Sequence, residues 1–246
     1  GAHPHWWEFL APCFAPDSRV VAPTWSGAGA SDWRPRYGVD FCVAEALAAA
    51  EALGAFAGPG KPLVAAHSFG GYPAVALAAD HGDRFAGVLS IDSPVEHPDE
   101  DLGGPPSRHR PNRVYPDLEA ALARFRLAPP QPCENLFAVD HIARASIKQI
   151  PEGFTWKFDP FIWKDFEDRD PAVLLQAARC PVAVMWGARS SLMSARTIAH
   201  MKSLLPPGAP FLAIPEAAHH VMLDQPLAFV AAARALFAAW PSPRGA

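Results

Sequence analysis

The chain has no excess of positive charge: 21 Lys and Arg stand against 25 Asp and Glu, for a formal net charge of −4. Nothing in that balance predicts a nucleic acid or an anionic membrane as partner. No apolar run approaches the roughly 18 residues that a bilayer span needs, so no membrane partner is predicted. The start, Gly1-Ala2-His3-Pro4-His5, lacks the basic stretch and apolar core of a signal peptide. The four cysteines, Cys13, Cys42, Cys133 and Cys180, have no paired spacing, which predicts a reduced, cytoplasmic protein. The ten histidines include His3-x-His5 and His219-His220, but no metal-ligand spacing, so neither metal nor cofactor is predicted. Nothing selects between a monomer and a homodimer.

What is present is core. Half of the 246 residues are hydrophobic, enough for one large globular domain with an insertion. Short, nearly all-apolar runs occur at residues 19–22, 62–66, 85–91, 181–186 and 210–214. Strands buried on both faces of a parallel sheet read this way. Helical segments are predicted between them at 40–57, 70–79, 191–205 and 225–239. The alternation predicts an α/β fold with a mostly parallel, doubly wound sheet. The rhythm lapses from Pro94 to about Pro171. That interval starts with a turn-rich stretch, continues with predicted helices at 117–127 and 135–149, and ends in an aromatic-rich segment. It reads as a mostly helical lid inserted after the strand that follows Ser68. The predicted organisation is residues 1–93 core, 94–170 lid and 171–246 core.

The string Val64-Ala65-Ala66-His67-Ser68-Phe69-Gly70-Gly71 carries the chemistry. An apolar strand runs into a serine, and two glycines open an Ala-rich helix. That is the nucleophile elbow, G-x-S-x-G, with Ala66 in place of the first glycine. Small neighbours permit the tight turn that projects the serine. The Phe69 N–H would face a developing oxyanion. A serine hydroxyl needs a base, and the base an orienting acid. His219 lies in the loop after the last apolar run, at the same sheet end as Ser68.

Together these segments resemble the α/β-hydrolase family over nearly the whole length. Val20-Val21-Ala22-Pro23 with Gly27-Ala28-Gly29-Ala30-Ser31 resembles the strand and loop ahead of the elbow. Val182-Ala183-Val184-Met185-Trp186-Gly187 resembles the late strand that leads to the acid, and Ala217-Ala218-His219 through Pro226 the histidine loop. The resemblance implies a serine-nucleophile enzyme without a cofactor. Ser68, His219 and an acid are the implied catalytic residues.

Two features depart from the family. Relatives commonly carry the acid where this chain has Ser190, and a hydroxyl cannot replace a carboxylate beside an imidazolium. Asp92, ending the 85–91 run, is the expected substitute. Some relatives, certain haloalkane dehalogenases among them, hold their acid there. Glu96 or a Ser–His dyad are the alternatives. The second departure is the missing His-Gly loop ahead of Gly1-Ala2-His3-Pro4-His5-Trp6-Trp7. The chain reads as a fragment or shortened gene model that begins inside this loop, with a gap expected between the 19–22 and 62–66 strands; another segment filling the gap, or a different strand order, are the alternatives. Gly1 is then the second expected oxyanion residue beside Phe69.

A serine at position 68 argues against dehalogenase and epoxide-hydrolase chemistry, which use an aspartate nucleophile. Hydrolysis of a small apolar or aromatic carboxylic ester is the expected activity. Carbon–carbon bond hydrolysis of a β-diketone-like substrate, or non-catalytic small-molecule binding on the same fold, are the alternatives. Trp25, Trp156, Phe158 and Trp163 are the expected pocket residues. His220, Arg189 and Asp224 are expected to serve as loop partner, surface charge and helix start.

Overall fold

The computed structural model describes residues 2–15, 18–58, 60–101, 103–104, 108 and 110–240. Four of the five apolar runs form strands of one parallel sheet. They are β1 (Leu63–His67), β2 (Gly87–Ile91), β5 (Val182–Gly187) and β6 (Phe211–Ile214), in the order β1-β2-β5-β6. In register, His67 pairs with Ile91, Ile91 with Met185, and Gly187 with Ile214. The residues that follow β1, β2, β5 and β6 therefore emerge together at the carboxyl end of the sheet. In open α/β sheets that end carries the functional groups.

β2 is buried at all five positions, whereas β1 alternates between exposed and half-buried. The difference follows from pairing. β2 has a neighbour on each side, and β1 has only β2 among the described residues. The run at 19–22 was expected as a strand. It carries no strand or bridge assignment, and Val20 and Val21 are each 40% exposed. Apolar β-branched residues favour extended backbone, but a strand exists only with a ladder partner.

Helix α2 (Gly71–His81) packs on β1 and β2 and against α1 (Val39–Ala52) and α5 (Pro171–Gln176). It buries Ala74 through Ala78 in a core shared with Val88, Val184, Leu174 and Met201. Asp170 caps α5 by accepting from the N–H groups of Ala172 and Val173, and Pro171 takes the first helical position. Both are ordinary helix-start signals. Helix α6 (Ala195–Leu204) starts four residues later than its expected span because Ser194 caps it through Thr197 N–H. The last helix, α8 (Pro226–Ala239), follows a single turn, α7 (Val221–Asp224).

Two compact units are formed, Gly1–Gly38 with Pro105–Glu167, and Val39–Gly104 with Asp168–Ala246. Residues 1–38 thus group with most of the 94–170 interval. The first unit contains α3 (Leu118–Leu122), α4 (Leu136–Ala145) and an antiparallel hairpin of β3 (Ile147–Ile150) and β4 (Gly153–Trp156). The hairpin corrects the expected 135–149 helix. Helix α4 ends at Ala145, where the Ser146 N–H bonds back to the last turn and its hydroxyl to the Ile142 carbonyl. The Ile147-Lys148-Gln149-Ile150 stretch then pairs with Gly153–Trp156. No helix among the described residues is long and apolar enough to cross a membrane.

Candidate active site

Each chemical group of the site follows the end of a parallel strand. Ser68 follows β1 and begins a single 3-10 turn, Ser68–Gly70, that leads into α2. Its φ is +54°, a left-handed conformation unusual for a residue with a Cβ. Such a position costs about 1–3 kcal/mol and persists only where the surroundings impose it. Here they do. A Cβ at position 71 would collide with the Ser93 side chain, so Gly71 lets α2 start hard against the end of β2. Ala66 tolerates the missing glycine of the motif: its Cβ lies 3.8 Å from where a Cβ on Gly70 would stand.

Asp92 follows β2 and is also left-handed, with φ +46°. Its backbone N–H still donates to Met185 O at 2.7 Å, continuing the ladder, while the side chain turns inward and is fully buried. Three donors satisfy the buried carboxylate. His219 Nδ1 lies 2.8 Å from Oδ1, Ser190 Oγ donates to the same oxygen at 2.6 Å, and Gly187 N–H donates to Oδ2 at 2.8 Å. A buried carboxylate without such partners would be severely destabilising. Ser190, where the family resemblance leads one to expect an acid, thus supports the Asp92 carboxylate instead.

The His219 loop is fixed at several points. Glu216 turns the chain with φ +61°. Arg189 N–H donates to Ala217 O at 2.8 Å, and Ala218 N–H donates to Asp224 Oδ2 at 2.7 Å. Asp224 was expected to start the last helix. Instead it ends α7 and anchors this loop, because Gln225 stands at the boundary of α8 and its side chain makes no capping bond. Gly187 lets the loop pass, since a Cβ there would strike the carbonyls of Ala217 and Ala218. Arg189 lies at the surface, paired with Glu216.

His219 is 2% exposed, and its Nε2 lies 2.9 Å from Ser68 Oγ. A carboxylate only accepts, so Nδ1 carries the proton toward Asp92 and Nε2 offers its lone pair to the serine hydroxyl. Two more histidines back the loop. His67 Nε2 donates to the His219 carbonyl at 2.8 Å, and its ring lies 4.6 Å from that of His219. Burial, and then His219 and His220 beside it, hold His67 well below the ordinary histidine value. Burial, followed by His219, takes His220 down to about 3. Both rings are neutral near pH 7 and add bulk without charge beside the candidate base.

The structure thus joins Ser68, His219 and Asp92 in one hydrogen-bonded chain. Phe69 is the second residue of the turn that Ser68 begins. Gly1 lies outside the described residues. The other expected pocket residues belong to the first unit and pack there. Trp156 meets Tyr115 and Phe125, the Arg108 guanidinium covers Phe158, and Trp163 meets Phe166. Trp25 is half-buried. The same unit has a cavity of about 540 Å³ lined by Trp33, Lys148 and Lys157 beside the Gly29–Asp32 backbone, and none of the four expected residues lines it.

Comparison with known proteins decides the family. The sequence pattern of the alpha/beta hydrolase fold matches residues 1–226. The chain belongs to the alpha/beta hydrolase fold family. No curated protein matches it. Among solved structures, it is similar to a hypothetical protein from Pseudomonas aeruginosa PAO1, at 24% identity and a TM-score of 0.76, covering 96% of this chain and 88% of that one. The thioesterase domain from the curacin biosynthetic pathway matches at 20% identity and a TM-score of 0.74, with coverage of 96% and 86%. A thermophilic esterase from Thermogutta terrifontis matches at 20% identity and 0.68, with coverage of 96% and 85%. These likenesses establish the shared fold, and family membership supports a hydrolase.

Proposed function

We propose that the chain is a serine hydrolase that cleaves a small apolar or aromatic carboxylic ester through an acyl-enzyme. The observation that carries this reading is the continuous chain Ser68 Oγ–His219 Nε2 and His219 Nδ1–Asp92 Oδ1, at 2.9 and 2.8 Å. Ser68 attacks the ester carbonyl while His219 takes its proton. Asp92 keeps the imidazole in the required tautomer and stabilises it once charged. The Phe69 N–H donates to the oxyanion of the tetrahedral intermediate. His219 then protonates the leaving alcohol. Water, deprotonated by the same imidazole, releases the acid and restores Ser68. No step uses a cofactor, and a small-molecule substrate is the partner the reaction needs.

The test is a fluorophosphonate probe with a panel of aryl and alkyl esters and 1,3-diketones, using Ser68→Ala as control. Labelling and ester turnover that both vanish in the variant are expected. Turnover of diketones in preference to esters would move the assignment to carbon–carbon bond hydrolysis. A folded sample that neither labels nor turns over would make the protein a binder.

A further inference from the structure

A second set of histidines lies in the other unit, outside the proposed catalytic machinery. Pro4–Trp6 forms a single 3-10 turn that carries His5, and Glu8 follows three residues later. Residues three apart on a turn share a face. Helix α4 presents His141 to the same point. His5 Nδ1 and His141 Nε2 lie 3.0 and 2.9 Å from one oxygen, Oε2 of Glu8. The three ligand atoms all fall within 4.8 Å of one another. Their supports are built in. Leu10 is buried beyond the turn, and Ala138 and Ile142 are buried on α4 to either side of His141.

His3 pins the segment further. Its Nε2 meets Ser146 Oγ at 2.8 Å, just past the end of α4. The Ser146 hydroxyl already donates to the Ile142 carbonyl, so the His3 nitrogen is the donor and Nδ1 holds a lone pair. That Nδ1 is buried without a hydrogen-bond partner, and the His3 ring stands edge-on to His5 at 5.3 Å. Burial first, then His5, lowers His3 to about 4, so the imidazole is neutral at pH 7.

We propose that His5, Glu8 and His141 bind a divalent transition-metal ion of the zinc class. Two imidazoles and a carboxylate make a donor set suited to zinc, copper or nickel, and they leave a fourth position for water. Tetrahedral zinc with bonds near 2.0–2.1 Å needs ligand atoms about 3.3 Å apart, so two of the three edges require only small adjustment. Magnesium and calcium prefer all-oxygen shells and are poor candidates. No ligand set is visible in the sequence because His141 is separated from Glu8 by 133 residues.

The buried trio His67, His219 and His220 also has ligand atoms within reach of one another. It is a poor rival. His219 spends both nitrogens on Ser68 and Asp92, and His67 Nε2 is committed to a carbonyl.

The experiment is calorimetric titration of the untagged, chelator-treated full chain with zinc, repeated with cobalt to read its ligand-field spectrum. One ion per chain is expected, with a tetrahedral cobalt spectrum. His5→Gln and His141→Gln should each weaken binding by at least about tenfold. The double variant should lose binding while keeping its circular dichroism and its metal-free melting point. His219→Gln should bind as the parent does. Zinc should raise the melting temperature of the parent but not of the double variant. Absence of binding by the parent, unchanged binding by the double variant, or loss of binding in His219→Gln alone would each overturn the proposal.

Discussion

The two histidine clusters use one residue type in opposite ways. Around His67, His219 and His220 the rings are packed within 4.6–5.4 Å, and the candidate base is almost fully buried. Its ring nitrogens are assigned by geometry, because a carboxylate and a hydroxyl face its two sides. Around His5, Glu8 and His141 the side chains are 42–55% exposed, and two imidazoles share one carboxylate oxygen. The first arrangement fixes where a proton sits. The second points two solvent-accessible imidazoles at one carboxylate, where an arriving cation would take the place of the ring protons. Burial with committed partners makes an acid–base device, while clustering at the surface makes a ligand set.

Substitutions in the buried cluster should have the largest effects. His219→Ala removes the group that, in the proposed reaction, both takes the Ser68 proton and donates to the leaving alcohol. A loss of about 10⁶-fold in kcat is expected, read with the ester turned over fastest by the parent. Asp92→Asn keeps the shape but offers an amide to Nδ1, favouring the wrong tautomer, and about 10⁴-fold should be lost. Near-normal kinetics in that variant would redirect the assignment of the acid to Glu96 or to a dyad. The double variant D92N/S190D sharpens the point. Ser190 Oγ and His219 Nδ1 contact the same Asp92 oxygen, so a carboxylate at 190 starts within reach of the imidazole. Recovery of about tenfold or more over D92N is expected.

Ser190→Ala is the milder test of the same support. It removes one of three donors to a buried carboxylate and leaves the other two. Hydrogen bonds to charged groups contribute about 1.5–3 kcal/mol, so kcat should fall roughly 10- to 100-fold with KM nearly unchanged. A rise in KM alone would show that Ser190 bears on substrate rather than on Asp92.

Ser68, Asp92 and His219 were legible because each follows a short apolar run, and parallel strands deliver such positions to one end of a sheet. What holds them was not. Gly187 N–H and Ser190 Oγ reach Asp92 only through the β2–β5 register, and nothing local in residues 187–190 signals a bond to residue 92. The 19–22 run shows the same limit from the other direction. Its residues suit a strand, but strand formation depends on a partner that local sequence does not specify. The β3–β4 hairpin was hidden because Ile147 and Ile150 keep the i, i+3 spacing of the preceding helix. Only the turn of Pro151 and Glu152 into Gly153 marks the reversal.

The comparison can also be drawn in stability. In the folded chain His220 takes a proton only near pH 3, whereas its ordinary value is 6.5. As pH falls, the unfolded chain binds this proton first. The stability tied to neutral, buried His220 is therefore intact above about pH 6.5 and is lost progressively between 6.5 and 3. His3, lowered to about 4, acts with the same sign between 6.5 and 4. The melting temperature should fall steeply across this range, and His220→Gln or His3→Gln should each flatten part of the fall. An equally steep profile in both variants would place the acid sensitivity elsewhere. His141→Gln should have the smallest effect. An exposed His–Glu contact contributes little without a metal, because solvent already satisfies both groups. Its metal-free melting profile should superimpose on that of the parent at every pH. Divergence on adding zinc alone would separate the surface ligand set from the buried acid–base set.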